Sequence, residues 1–279
     1  MTRRHLTFAC EGAALIGTID NEAGAAGLLI VSGGNEIRSG AFSGQARLAA
    51  EIAAAGYPVF RFDRRGVGDS EGENRGFSET TPDIAAALAA FRSACPHIRR
   101  VIALGNCDAA SALMLASGAG CDALVLSNPW TFGEDESSAP PPPDAIRARY
   151  AERLMDPREV WRLVSGGVNL RKLARGVWAA LRPPPPPSTL AQDMTAGLAR
   201  FSGSYSVLLA GRDRTAQAFL AIWDARDSRL HQRTGADHAF SSAEDTAWLR
   251  DQIVAALHEQ ALLNEHALLN KKAGQLDMG

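Results

Sequence analysis

The chain has 279 residues, 46% hydrophobic and 22% charged, with a formal net charge of -2. This is the profile of a globular protein with a full core, and it lacks the basic field that a nucleic-acid binder needs. No apolar run approaches the ~18 residues of a membrane-spanning helix, and Glu11 with its polar neighbours interrupts the N-terminal region before a signal segment can form, so the expected location is cytoplasmic.

In chain order, the first two predicted strands are His5 to Cys10 and Ala14 to Ile19, separated by Glu11-Gly12, and they read as an antiparallel hairpin at a sheet edge. Strand-like apolar runs then alternate with helical patterns: Gly27 to Ser32 before an Ala-rich helix, Val59 to Asp63 before a loop and helix, Val101 to Gly105 before Ala109 to Ala116, and Val125 to Asn128. Alternation of this kind predicts an α/β class with a mostly parallel sheet covered on both faces. From residue 131 to about residue 200 no strand pattern occurs, and proline runs at Pro140 to Pro143 and Pro183 to Pro187 bracket helical segments. Stiff polyproline suits the stalks of an insertion, so residues 131–200 are expected to form a helical cap between two core parts, 1–130 and 201–260. Basic residues outnumber acidic ones in the cap, which fits either a solvated face or a guide for an anionic group. The strand–helix rhythm resumes with Ser206 to Gly211, a helix from Thr215 to about Trp223, a strand from Arg229 to Thr234 and a helix from Ser242 to His258. The tail, 261–279, repeats Ala-Leu-Leu-Asn and fits either an extension of the last helix or a frayed end.

Four cysteines occur, Cys10, Cys95, Cys107 and Cys121, without the CxxC spacing of a zinc or redox site. No metal or cofactor is expected, and three of the four read as small buried hydrophobes. Cys107 differs because of its setting, Leu104-Gly105-Asn106-Cys107-Asp108-Ala109, an apolar strand running into a Gly-x-nucleophile turn ahead of a helix. A helix N-terminus and a neighbouring imidazolium both favour a thiolate over a thiol, which by itself titrates at ~8.5. Asp213 and His238 fall beyond the next predicted strands, and ligands in open α/β sheets bind beyond the carboxyl ends of strands. Asp213 equally suits an N-cap for the helix at Thr215, and Asp224 and Asp227 are alternative acids. The loop Ser32 to Arg38 brings glycines to the same end of the sheet. Gly34 or Asn35, with Asp108, is the candidate backbone donor pair for a developing negative oxygen. The alternative is a plain strand-to-helix turn. Arg38 reads as a clamp for a substrate carboxylate or phosphate, or as a solvent-facing side chain.

The turn at Cys107 and the order nucleophile, acid, histidine resemble the α/β-hydrolase fold. The segment Asp63 to Gly72 is similar to the Asp-x-Arg-Gly-x-Gly-x-Ser loop of many such proteins, where it is structural. More narrowly, Gly33 to Gly40, Asp63 to Gly72 and Gly105 to Ser111 together resemble the first type of exosortase A system-associated hydrolase. Ala109 departs from the glycine more common there. The resemblance implies a Cys107–His238–Asp213 triad and a hydrolase-like role near exopolysaccharide assembly and protein sorting, beside membrane-proximal machinery. The expected substrate is a small-molecule or carrier-bound ester or thioester, passing through a covalent acyl-enzyme. An acyltransferase with a non-water acceptor and an inactive hydrolase-like scaffold are the alternatives.

Overall fold

The computed structural model describes residues 2–132 and 188–276. Eight strands form one sheet in the order β1-β2-β4-β3-β5-β6-β7-β8. β1 (Thr2–Cys10) and β2 (Ala13–Asn21) are the antiparallel hairpin anticipated from the sequence, and β2 also runs antiparallel to β4 (Val59–Phe62). All later pairings are parallel, through β3 (Ala26–Val31), β5 (Arg100–Asn106), β6 (Ala123–Ser127), β7 (Ser204–Ala210) and β8 (Leu230–Arg233).

β3 shows why the central strands read as continuous apolar runs. Every residue in it is buried, because side chains alternate between two covered faces. Leu29 and Val31 point into a core completed by α2 (Thr81–Ala94), α3 (Asp108–Leu115), α4 (Thr189–Ala199) and α5 (Arg214–Leu220), through Phe91, Leu113, Met194 and Phe219. Leu28 and Ile30 point the other way, against Leu48 and Ile52 of α1 (Gly44–Ala54) and Ile253 and Leu257 of α6 (Ala243–Leu276).

Two sequence boundaries move. The expected cap, 131–200, lies outside the described residues from 133 to 187. Its final stretch is α4, a helix of the core: Met194 and Leu198 are buried, and Gly197 lies so close to α3 that a Cβ there would stand 2.2 Å from the Met114 carbonyl oxygen. The last helix does not stop at His258 but continues to Leu276, through the Ala-Leu-Leu-Asn repeats. Among the described residues no helix is long and apolar enough to cross a membrane.

The loop from Asp63 to Gly72 is held from within, as the resemblance implied. Asp63 is fully buried and accepts from the backbone of Arg38 (2.5 Å) and Asp69 (3.2 Å), while Ser70 Oγ donates to the Asp63 carbonyl and accepts from Ile16 N–H. Arg65 reaches across to Asp83 of α2 (2.5 Å) and to Glu11 in the hairpin turn, tying the antiparallel edge to the parallel core.

Candidate active site

β5 delivers Cys107 into a turn whose geometry is unusual for any side-chain-bearing residue: φ is 60° and ψ is -126°. Such a backbone carries local strain and persists only where its surroundings hold it. Here the Cys107 N–H donates to the Ser127 carbonyl (2.9 Å), and the Cys107 carbonyl accepts from Ala110, Ser111 and Trp130. Gly105 makes the turn sterically possible, since a Cβ there would meet the Ala109 carbonyl carbon and the Ala110 nitrogen at 2.7 Å. Cys107 is partly exposed, whereas Cys10, Cys95 and Cys121 are buried. Burial raises all three of those thiols, Cys10 to about 11, with Asp83 adding to it, and Cys121 to about 12.

His238 sits on the loop between β8 and α6. Asp237 shapes that loop by accepting from the backbone of Ala239 (3.2 Å) and Ser241 (2.9 Å), and Phe240 anchors it by stacking on Trp248 at 5.8 Å. Asp213 stands at the N-cap of α5, where its Oδ2 accepts from Ala216 N–H (3.1 Å) and lies 2.9 Å from His238 Nδ1. The capping and histidine-orienting readings of Asp213 are therefore served by one oxygen. Hydrogen bonding to Asp213 first, and then to Cys107, raises the His238 imidazole to about 10, against the opposing effect of its burial. The other acids that the sequence offered are occupied elsewhere: Asp227 binds Arg229 and Trp223 and is held down to about 2, and Asp224 accepts from Arg226 N–H.

The loop after β3 lies across the elbow, with an arrangement that the sequence did not indicate. Gly34 N–H donates to Asp108 Oδ1 at 2.7 Å, and buried Arg64 grips the Gly34 carbonyl from the other side. One expected donor thus points at a carboxylate in this structure. Asn35 uses its side-chain oxygen to accept from Asn74 (2.8 Å). The backbone N–H of Asp108 begins α3, where no intrahelical acceptor exists. Arg38, read from the sequence as a clamp or a solvent-facing side chain, is turned to the Asp63 to Gly72 loop. Its guanidinium bonds Asp63, lies 2.9 Å from Asp69 and donates to Thr18, which leaves it part of the loop scaffold.

Two asparagines went unrecognised in the sequence. Asn106 precedes Cys107 and Asn128 follows β6; Asn128 is fully buried, at a φ of 44°. Its side chain bonds to Asn106 (3.1 Å), to the His238 carbonyl (3.1 Å) and to Ala210 N–H (2.8 Å), so one residue joins the ends of β5, β6 and β7 to the histidine loop. A polar residue closing an apolar run was the available signal.

The sequence profile of the alpha/beta hydrolase family matches residues 28–252. The chain belongs to that family. The match takes in every element that carries Cys107, Asp213 and His238. Comparison with curated proteins produced no match. Among solved structures the hydrolase resembles an esterase from Pyrococcus furiosus, with a TM-score of 0.60 at 15% identity over 92% of this chain and 91% of that one. It also resembles an alpha-beta serine hydrolase homologue from Coxiella burnetii, TM-score 0.57 at 15% identity over 92% and 98% of the two chains. A serine hydrolase without lid from Xanthomonas campestris gives a TM-score of 0.57 at 14% identity over 93% and 95%. At these identities the likeness establishes a shared fold.

Proposed function

We propose that this α/β-hydrolase cleaves an ester or thioester through Cys107, with His238 as proton carrier and Asp213 as the group that orients and stabilises it. The observation that carries this reading is the 2.9 Å contact between His238 Nδ1 and Asp213 Oδ2, on an imidazole that also hydrogen-bonds Cys107 at the strained elbow. Asp213 fixes the tautomer and favours the imidazolium, as a triad acid does.

The proposed steps run in this order. As His238 takes the thiol proton, Cys107 Sγ attacks the acyl carbon, forming a C–S bond while the carbonyl electron pair moves onto oxygen. The Asp108 N–H and the Gly34 N–H are the donors for that oxygen, and for the second of these the Asp108 carboxylate must turn away. Collapse of the tetrahedral centre breaks the bond to the leaving group, which takes a proton from His238. Water, deprotonated by His238, then releases the acid and regenerates the thiol. A cysteine suits thioesters because thiol–thioester exchange is nearly isoenergetic. The narrower sequence resemblance supports a substrate in exopolysaccharide or protein-sorting systems.

The test is to incubate the protein with a panel of acyl esters and acyl thioesters and weigh the intact chain. An adduct on Cys107 that is absent from Cys107→Ala is the expected result. Turnover that persists in Cys107→Ala, or transfer to alcohols or amines with negligible hydrolysis, overturns the reading.

A further inference from the structure

The orientation of the Asn106 amide is fixed by a chain of bonds that begins at a group able only to donate. Ala210 N–H donates to Asn128 at 2.8 Å, so that atom of Asn128 is its oxygen. The Asn128 Nδ2 then faces two acceptors, the His238 carbonyl and the Asn106 oxygen, each at 3.1 Å. Asn106 consequently turns its own Nδ2 toward His238 Nε2, at 3.4 Å. Flipping either amide would set donor against donor or oxygen against oxygen, which around the fully buried Asn128 is costly.

We infer that Asn106, oriented by Asn128, is a positioning residue that offers His238 Nε2 a donor and thereby favours the imidazole once its Nε2 proton has left. An NH2 group can bond to Nε2 only when that nitrogen holds a lone pair; against a protonated Nε2–H it is repulsive. The groups around the ring act in opposite senses. Asp213, from the loop after β7, and Cys107, from the elbow, both favour the charged ring. Asp237, on the same loop as His238, is turned to Ser241 and Ala239 and also feels Arg212. Asn106 is the group set against the charge at the atom that must release the proton.

The inference rests on the proposed acyl chemistry for its purpose and not for its geometry. An imidazole stabilised only as the cation would hold its proton. With Asn106 in place, transfer of the proton from Nε2 to the leaving-group atom, as the acyl–leaving-group bond breaks and its electron pair goes to that atom, is rewarded by a hydrogen bond that could not form before. In the next step water displaces that donor and gives its proton to the same Nε2 lone pair.

The experiment is a titration of the His238 ring nitrogens by NMR in the full chain and in Asn106→Ala, Asn128→Ala and Asn106→Asp. Asn106→Ala removes the opposing donor, and the midpoint is expected to rise by about half a unit or more. Asn128→Ala does not touch Nε2, but it frees the Asn106 amide to turn its oxygen to the charged ring, so the midpoint rises again. Asn106→Asp places an acceptor there and gives the highest value. A purely structural role would loosen the Asp213 contact and lower the midpoint in both alanine variants. Midpoints unchanged or lowered in variants that retain the native circular dichroism spectrum overturn the inference, as does an unmoved midpoint in the isosteric Asn106→Asp. Acyl adduct formation on Cys107 is measured on the same samples. Its absence in the wild type overturns the acyl-enzyme reading and leaves the titration result standing.

Discussion

Cys107, Asp213 and His238 lie 106 and 25 positions apart in the chain, yet each could be singled out because it follows a strand at the same end of the sheet. Their dependence on one another is measurable. In His238→Ala, labelling of Cys107 by a thiol-reactive acyl probe should slow about a hundredfold, the scale on which a positioned proton carrier acts. Cys10, Cys95 and Cys121 stay slow in both proteins because they are buried and raised; equal labelling at all four positions would count against the proposed role. The imidazole also links stability to pH. Its folded value, about 10, lies above the ordinary value of 6.5, so the native state holds the extra proton between these two values. The resulting stabilisation is complete below the lower value and is lost as pH rises through the upper one. The midpoint of thermal unfolding should therefore fall between about pH 7 and 10 more steeply in the wild type than in His238→Ala. Asp108→Asn keeps an oxygen for Gly34 N–H but removes the charge beside the proposed oxyanion, and is expected to speed acyl-enzyme formation, read as the rate of adduct appearance.

The elbow as an element depends on where space is left between β5 and α3. Ala109 stands where the resembling family more often has glycine. The structure accommodates it, fully buried, because Gly105 has no side chain and lets the backbone of Ala109 approach instead. Gly105→Ala should accordingly destabilise the protein by about 3 kcal/mol, since the methyl meets backbone that cannot move aside without opening the turn. Denaturant unfolding checks this, and Ala109→Gly, with only a buried methyl lost, serves as the milder comparison. The brace between Arg65 and Asp83 is a second such element. Asp83→Ala leaves a buried guanidinium with one fewer carboxylate and should cost about 3–5 kcal/mol, measured in the same way.

For the whole molecule, the sheet has two covered faces, and the helix that seals one of them comes from the far end of the chain. Ile253 and Leu257 of α6 pack against β3 and β5 strand residues that lie more than a hundred positions earlier. Ile253→Ala and Leu257→Ala should each lower stability by about 2–5 kcal/mol, and the loss should appear as a single cooperative transition if the two faces share one core.

Strand-like runs of four to six residues between helical patterns were enough to give the α/β class and the antiparallel edge, while the place of β4 between β2 and β3 came only from the packed sheet. A strand's side-chain period and a turn's glycines are local properties that a sequence carries directly. Local signals likewise marked Cys107, Asp213 and His238 as residues just beyond strands. The commitment of Arg38 to Asp63 and Asp69, the carboxylate of Asp108 on Gly34 N–H and the Asn128–Asn106 bonds behind His238 were decided only by the tertiary structure. A polar side chain shows what it can donate or accept, but its partner depends on which distant backbone arrives within three ångströms. That is settled when the strands pack, and no periodicity records it.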